Sequence, residues 1–213
     1  MDVDGLSLTF AVATTAEERV ARRVGLPAVR VGVRAANGVP QGRLVSFGLV
    51  GALREGLAVG DVLDATRVVD ERGATLWEGP GLGVGKDATV LGFDRLVHDA
   101  SERARLHAAS GADAVDMESG VLARSGRLAG VLRVVSDDVR SAIEGVDRTV
   151  HPDGRTDVTG LVRWVAAKRG DAVRSMRDAL TALKALESVR RLDGARQGAE
   201  AAALPAPGAG RVA

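Results

Sequence analysis

The sequence contains no cysteine, which excludes disulfide bonds and thiolate metal sites from this protein. Aromatic residues make up only 2% of the chain, so the core has to be built from Val, Leu and Ala. So few rings also argue against binding single-stranded nucleic acid by base stacking, because that mode needs aromatic platforms.

The chain also lacks an excess of charge of either sign and any long apolar run. Its 29 basic and 28 acidic residues leave a formal net charge of +1, so no global field attracts nucleic acid or an anionic membrane. No uninterrupted apolar stretch is long enough to span a bilayer. The N-terminal residues lack the basic start and apolar core of a secretion signal. We therefore expect a cytoplasmic protein that does not bind nucleic acid.

What is present is the composition of an ordinary globular protein. The 213 residues are 46% hydrophobic and 27% charged, which predicts one sizeable core in one domain. The sequence after residue 189 is rich in Ala, Gly and Pro. We therefore predict a folded domain over residues 1–189 and a disordered tail over residues 190–213.

The most informative stretch is GADAVDMESGVLARSGRLAGVLRVVSDD, residues 111–138. An apolar run meets Asp116 and Glu118, a helix-like segment of small residues follows, and a second apolar run ends at Asp137. Strand, helix, strand is the pattern of a parallel crossover unit. Because open α/β sheets bind ligands at the carboxyl ends of their strands, these acids are the first candidates for chemistry.

The remaining pattern alternates strands and helices, which predicts an α/β fold. Thr14 and Glu17 form a capping box, and Gly111 is placed to end a helix. The predicted strands are Leu6–Ala13, Ala28–Arg34 and Leu44–Val50, and the predicted helices are Thr15–Val24, Ser101–Ser110, Val158–Lys168 and Asp171–Ser188, with a loop or hairpin over Asp70–Gly85.

The residues around the two acidic clusters suit cleavage of a bond between a sugar and a base. Glu118 offers acceptors for a sugar diol, and Met117 offers a polarisable apolar surface for the sugar ring. Asp137 follows an apolar run and is suited to act as an acid, with Ser136 orienting it. Such a cleavage builds positive charge on the sugar and negative charge on the base, and this arrangement addresses both.

Three motifs in this order resemble the nucleoside phosphorylase and nucleosidase superfamily. AVDMES followed by LRVVSDD is similar to the acid-Met-Glu and Arg-x-x-Ser-Asp motifs of methylthioadenosine/adenosylhomocysteine nucleosidases, and SFGLVGAL followed by VGDVL resembles the superfamily's Gly-rich loop. GFDRLVHDASERARLHAASGADAVDMES and HPDGRTDV resemble the hopanoid-associated phosphorylases most closely. The resemblance covers roughly Thr9–Leu183.

This resemblance implies a three-layer α/β/α sandwich with a mixed central sheet, and a homo-oligomer. It implies that Asp137 protonates N7 of a departing purine, with Arg133 and Ser136 belonging to the motif around that acid. It implies that Glu118 binds the ribose 2′- and 3′-hydroxyls and that Met117 packs under the ribose. The remaining implied site residues are Gly48 and Gly51 beside the ribose, Glu18 as a catalytic residue that handles water, and Arg19 as a phosphate-binding residue. No metal or organic cofactor is implied, because water or phosphate attacks and a side chain supplies the proton.

Three functions remain open from the sequence. The first is cleavage of adenosylhopane, a lipid-linked nucleoside, to release adenine; the second is hydrolysis of methylthioadenosine or adenosylhomocysteine. The third is a non-catalytic, nucleoside-binding member, which the short interval between the strands at Val29 and Leu44 favours. For Asp116 a second interpretation also applies: an acid that favours the helix N-terminus after it.

Overall fold

A computed structural model describes residues 8–139, 151–155, 157, 177–178 and 181–187. The predicted helix Val158–Lys168 and the predicted tail over residues 190–213 lie outside the described residues. The domain boundary after residue 189 therefore stays a prediction. In the described part of the chain, no helix has the length and the apolar composition needed to cross a membrane.

Between residues 8 and 139 the chain forms eight strands and three helices, together with a 3₁₀ turn at Val33–Ala35, and residues 181–187 are helical. The strands are β1 (Thr9–Val12), β2 (Ala28–Arg30), β3 (Leu44–Ala52), β4 (Val62–Val69), β5 (Thr75–Glu78), β6 (Lys86–Gly92), β7 (Ala114–Asp116) and β8 (Leu128–Asp137). The helices are α1 (Thr15–Arg23), α2 (Ala100–Ser110) and α3 (Ser119–Arg124).

Five of the strands pair in a closed ring. Strand β3 pairs with β8, β8 with β4, β4 with β6, β6 with β7, and β7 returns to β3. Strands β1 and β2 extend the sheet from β3 in parallel, and β5 forms an antiparallel hairpin with β4. The sheet is mixed, as predicted, and its curvature gathers the ends of β3, β7 and β8 in one region.

The core has apolar clusters on both faces of this sheet, because neighbouring strand residues point to opposite faces. On one face, Leu122 and Ala123 of α3 pack against strand residues such as Val131. On the other, Val20 of α1 and Leu186 of the helical segment 181–187 pack against residues of the same strands. Helices therefore cover both faces, which confirms the predicted mixed α/β fold.

The predicted parallel crossover over residues 111–138 is wrong. Strand β7 runs antiparallel to β3, whereas β8 runs parallel to it, so β7 and β8 point in opposite directions. Their long-range pairing decides this, since β7 takes its direction from β6 and β8 takes its direction from β3. The short helix α3 connects the two without a crossover.

Local signals set the ends of several elements. Helix α1 begins with the predicted capping box, in which Thr14 accepts from the backbone of Glu17 and Glu17 accepts from Thr14. Helix α2 ends at Gly111, which has a left-handed φ of 68°. The predicted strand Ala28–Arg34 is too long: β2 ends at Arg30, because Gly32 adopts a φ of 77° and turns the chain.

Helix α3 approaches strand β6 through two glycines. A Cβ at Gly120 would lie 2.9 Å from the Cα of Gly92, and a Cβ at Gly92 would overlap the backbone of Gly120. This contact sets how closely α3 approaches β6. It therefore also fixes the position of Met117 and Glu118, which precede the helix.

We predict that Gly92→Ala destabilises the fold more than Gly130→Ala does. The added methyl at position 92 meets helix backbone, which cannot move aside, so the cost is about 1–3 kcal/mol or more. At Gly130 a Cβ would meet only the tip of the Leu82 side chain, which can rotate. Urea unfolding of both variants measures the difference, and equal stabilities would contradict it.

Candidate active site

Arg133 of β8 is the centre of a buried charge cluster. Its guanidinium is 1% exposed and lies 2.6 Å from Oδ2 of Asp116 and 3.5 Å from Oε2 of Glu118. It also donates to Oγ of Ser46, at 2.6 Å, and to the carbonyl of Leu49, at 3.3 Å. A charge this deeply buried needs such partners, because an unpaired one would be strongly destabilising.

The strand directions explain how these residues meet. Val115 of β7 pairs with Gly51 of β3, and the antiparallel direction then carries the chain after β7 back toward Gly48. Arg133 pairs with Gly48 from the other side of β3. Asp116, at the end of β7, and Glu118, two residues later, therefore reach Arg133 past Gly48. They do so although β7 and β8 are not neighbours in the sheet.

Glu17 is a third carboxylate of this cluster, and the sequence analysis missed its role in the site. It is 3% exposed and accepts hydrogen bonds from the backbone N–H groups of Ala13, Thr14 and Leu49, at 3.1, 2.8 and 2.9 Å. A Cβ at Gly48 would overlap its Oε1 and lie 2.9 Å from Nη1 of Arg133. The capping box held the signal, because a Glu at this position points back toward the end of β1.

The prediction that Glu18 or Arg19 faces the site is not supported. Glu18 forms ion pairs with Arg22, at 2.7 Å, and with Arg30, at 3.3 Å, away from the Arg133 cluster, and Arg19 is exposed. A helix turns by about 100° per residue, so only Glu17 of this trio points inward.

Glu118 is buried and held from two sides. Its Oε1 accepts from the backbone N–H of Arg34, at 3.1 Å, while Arg133 faces its other oxygen. The pKa of Glu118 is raised to about 8: burial is the main cause, Asp116 and Glu17 add to the rise, and Arg133 and the Arg34 N–H oppose it. Near neutral pH this side chain is therefore largely a neutral acid that can both donate and accept hydrogen bonds.

The N–H that reaches Glu118 belongs to a strained turn. Arg34 and the next residue, Ala35, have φ values of 54° and 55°, in the left-handed region that non-glycine residues avoid. Such a conformation costs on the order of 1–3 kcal/mol per residue and persists where the surroundings enforce it. The turn rests on the 151–155 segment, since Val33 donates to the carbonyl of Pro152.

Asp137 lies in a second buried group at the end of β8. Arg103 of α2 forms an ion pair with its Oδ2, and Oγ of Ser136 lies 2.6 Å from its Oδ1. A Cβ at Gly51 would lie 3.0 Å from Asp137, so this glycine makes room for the carboxylate. The β3–β8 register shifts here, and Ser136 has no Cα partner on β3. This register shift is a β-bulge, and a bulge at the end of a strand changes the direction in which the next side chain, here that of Asp137, points.

Met117 lines a separate open cleft of about 280 Å³, to which neither Glu118 nor Asp137 contributes. Two glycines, an aromatic ring and charges of both signs complete its lining, formed by Arg34, Glu71, Gly92, Phe93, Asp94, Gly120, Val121 and Arg124. Met117 therefore lines the cleft, although its sequence neighbours Asp116 and Glu118 belong to the buried cluster around Arg133.

The two carboxylate groups lie along the same strand, β3. Glu17 and Glu118 surround Arg133 opposite Gly48, and Asp137 lies opposite Gly51. Three residues of extended strand separate these positions by about 10 Å. Asp116 belongs to the first group and also accepts from the N–H of Ser119, at 2.9 Å, which agrees with the interpretation of this acid as one that favours the start of the following helix.

We predict that Glu118→Gln is more stable than the wild type at alkaline pH. Because the pKa of Glu118 is raised in the folded state, the fold binds this proton more tightly than the unfolded chain does, and its contribution declines as pH rises from 4.5 to 8. Glutamine carries no such proton, so its Tm advantage should grow between pH 5 and pH 9.

The matched control is Glu102→Gln, where the Arg95 hydrogen bond lowers the pKa of the native carboxyl. This variant should show no gain at alkaline pH. A wild-type Tm that rises relative to Glu118→Gln over the same range would contradict the prediction.

Comparison with solved structures places the fold among nucleosidases. The chain matches futalosine hydrolase of Helicobacter pylori with a TM-score of 0.58 at 14% identity, over 90% of this chain and 97% of that one. It matches the 5′-methylthioadenosine/S-adenosyl homocysteine nucleosidase of the same organism with a TM-score of 0.56 at 16% identity, over 87% and 98%.

The corresponding nucleosidase from Neisseria meningitidis, in complex with methylthio-immucillin-A, gives a TM-score of 0.54 at 13% identity, over 90% of this chain and 98% of that one. No family model and no curated protein matches the sequence. At these identities the likeness establishes the fold, which is the mixed α/β fold of these nucleosidases.

Proposed function

We propose that this protein hydrolyses the N-glycosidic bond of an adenosyl nucleoside and releases adenine. The observation that carries the proposal is the burial of Glu17, Glu118 and Asp137 along one strand, with glycines at the two positions where they approach it. The solved structures with this fold include a nucleosidase and a futalosine hydrolase, which supports the same reaction class.

The sugar end of the substrate is assigned to Glu118. A carboxyl group with two oxygens suits the two adjacent hydroxyls of a ribose, and Arg133 fixes its orientation. The Arg34 N–H that now occupies Oε1 gives way to a sugar hydroxyl in the bound state. Met117 lines the separate cleft described above, so the proposal assigns it no contact with the ring.

The base end of the substrate is assigned to Asp137. Departure of the base leaves negative charge on a purine nitrogen, and an acid at that place neutralises it. The positions of β3 beside which the two groups lie, Gly48 and Gly51, are about 10 Å apart along the strand. Ser136 and Arg103 hold the two oxygens of the acid from the protein side.

The attacking group in this proposal is water, with Glu17 as the base. The backbone N–H groups of Thr14 and Leu49, which would suit an anion, already donate to Glu17. The N–H of Thr15 at the start of α1 donates to the carbonyl of Gly154. A phosphate at this position would be repelled by the Glu17 carboxylate, and these N–H groups would not be free to bind it. A water molecule there could instead donate a hydrogen bond to Glu17, which would act as its base.

The proposed step balances as a hydrolysis. The water oxygen bonds to C1′ and one of its protons passes to Glu17. The C1′–N bond breaks, its electron pair stays with the base, and Asp137, which enters the step with a proton taken from solvent, transfers that proton to the base. The products are free adenine and a sugar with a hydroxyl at C1′. The positively charged sugar at the transition state lies near the acids around Arg133.

We further propose adenosylhopane as the substrate, with methylthioadenosine or adenosylhomocysteine as the alternatives. The resemblance of the HPDGRTDV and GFDRLVHD stretches to hopanoid-associated phosphorylases supports the first, and the structural neighbours support the second. Adenine release measured from each nucleoside separates them, and release from none of the three rejects the adenosyl assignment.

A second candidate is a nucleoside-binding protein without turnover. Its support is that protein groups already occupy both key carboxyls, the N–H of Arg34 at Glu118 and Arg103 at Asp137. Calorimetric binding of an adenine nucleoside with no release of adenine would favour this candidate over the hydrolase.

We predict that Glu17→Gln and Asp137→Asn each lower kcat for adenine release by roughly 10²–10³-fold, the usual cost of one transition-state contact. Glu18→Gln is the matched control, because its carboxylate lies one residue away on the outer face of α1. Near-normal kcat in both site variants would overturn the assignment of roles.

Hydrolysis makes a second prediction about the nucleophile. Turnover should proceed at the same rate with and without phosphate, and in H₂¹⁸O the label should appear at C1′ of the sugar product. Mass spectrometry of that product decides between the two nucleophiles. A phosphorylated sugar, or a rate that depends on phosphate, would show that the proposed role of Glu17 is wrong.

A further inference from the structure

Arg103 is a buried arginine on α2 that the motif comparison assigns no role. We propose that it is a positioning residue for Asp137, which holds the acid in place and stabilises the carboxylate left after proton transfer. This proposal rests on the hydrolase function described above and adds a group to its machinery.

The guanidinium of Arg103 is almost completely withdrawn from solvent, at 2% exposure. Its Nη1 donates to the carbonyls of Ala52 and Asp138, at 2.9 and 3.1 Å, and its Nη2 donates to the carbonyl of Val97, at 2.9 Å. The remaining Nη2 proton goes to Oδ2 of Asp137. Four of its five donors thus have fixed partners, and Nε–H has no acceptor among the described residues.

These partners belong to three separate segments. Ala52 ends β3, Asp138 follows β8, and Val97 lies in the loop before α2. A planar guanidinium with three carbonyls in fixed places has little freedom to rotate, so its contact with Asp137 has a defined direction. The acid therefore takes its position from a rigid group and not only from its own strand.

The electrostatics of the contact favour proton donation. When Asp137 gives a proton to the departing base, a buried carboxylate remains, and such a charge is costly without a partner. The guanidinium already faces Oδ2, and Ser136 lies 2.6 Å from Oδ1. A carboxylate has about four acceptor sites, so these two contacts leave room for the substrate.

A structural role for Arg103 and a positioning role predict different kinetics. Loss of position at Asp137 should matter only for leaving groups that need a proton. Adenine needs one, whereas 4-nitrophenolate departs as a stable anion. A general loss of folding would slow the cleavage of both kinds of substrate equally.

The experiment compares Arg103→Lys and Arg103→Met with the wild type on an adenine nucleoside and on 4-nitrophenyl riboside. We expect Arg103→Met to lower kcat for adenine release by about 10²-fold with little change in KM, because small displacements of a catalytic group have effects of this size. Cleavage of 4-nitrophenyl riboside should fall much less. Arg103→Lys should recover part of the lost rate, since it keeps the charge.

Two controls make the outcome specific. Arg95→Met removes an exposed arginine, paired with Glu102, just before α2 and should leave both reactions unchanged. In an Asp137→Asn background, Arg103→Met should cause no further loss of kcat for adenine release, because the group it positions is already disabled. If Arg103→Met does not fold, Arg103→Lys in the same background supplies the test.

Equal losses on both substrates, or additive losses in the double variant, would overturn the positioning role. An unchanged kcat in Arg103→Met would do so as well, while leaving the hydrolase function standing. A wild-type protein that releases adenine from no nucleoside would reject the hydrolase function, and the positioning role with it.

Discussion

The contact of Arg133 with the acids around it is the constraint on which the rest of the site depends. One guanidinium, 1% exposed, faces Asp116 and Glu118 directly, and Glu17 adds a third carboxylate close by. Burial, together with the neighbouring acids Asp116 and Glu17, raises the pKa of Glu118, so the group keeps a proton near neutral pH. The cluster holds the ends of β7, β8 and α1 together, so the same charges that suit a sugar site also fix its geometry.

The closed ring of strands is what makes that cluster possible. Strands β7 and β8 do not pair with each other, and only the antiparallel return of β7 along β3 brings its acids to the level of Arg133. Gly48 is then necessary, because a side chain there would overlap Glu17, and a Cβ at Gly51 would lie only 3.0 Å from Oδ2 of Asp137. The two glycines of β3 therefore make room for the protein's own carboxylates.

Much of this structure was predictable from local sequence signals. The capping box at Thr14 and Glu17, the glycine that ends α2, and the long apolar runs of β3 and β8 each reflect an interaction within a few residues. Such local signals identify a helix or a strand, but they do not show which other elements it packs against or pairs with. The motif pattern likewise indicated Glu118 and Asp137, which the structure finds buried near the same strand.

The errors have a common physical origin in contacts between distant residues. The direction of β7 depends on its pairing with β6 and with two residues of β3, which no local pattern records. The choice between Glu17 and Glu18 depends on the rotation of α1 against the sheet, where one residue means about 100°. Arg103 is one of several charged residues on α2, and only the fold shows three backbone carbonyls and a carboxylate around it.

The left-handed pair Arg34–Ala35 has a consequence for the thermodynamics of ligand entry. In the proposed complex a sugar hydroxyl takes the oxygen of Glu118 to which the Arg34 N–H now donates, so the turn and the ligand would compete for one acceptor. On that proposal the apparent Kd is the intrinsic Kd divided by the fraction of molecules in which this turn has withdrawn. Relief of backbone strain on withdrawal partly offsets the lost hydrogen bond, so the turn and the ligand exchange places over a small difference in free energy.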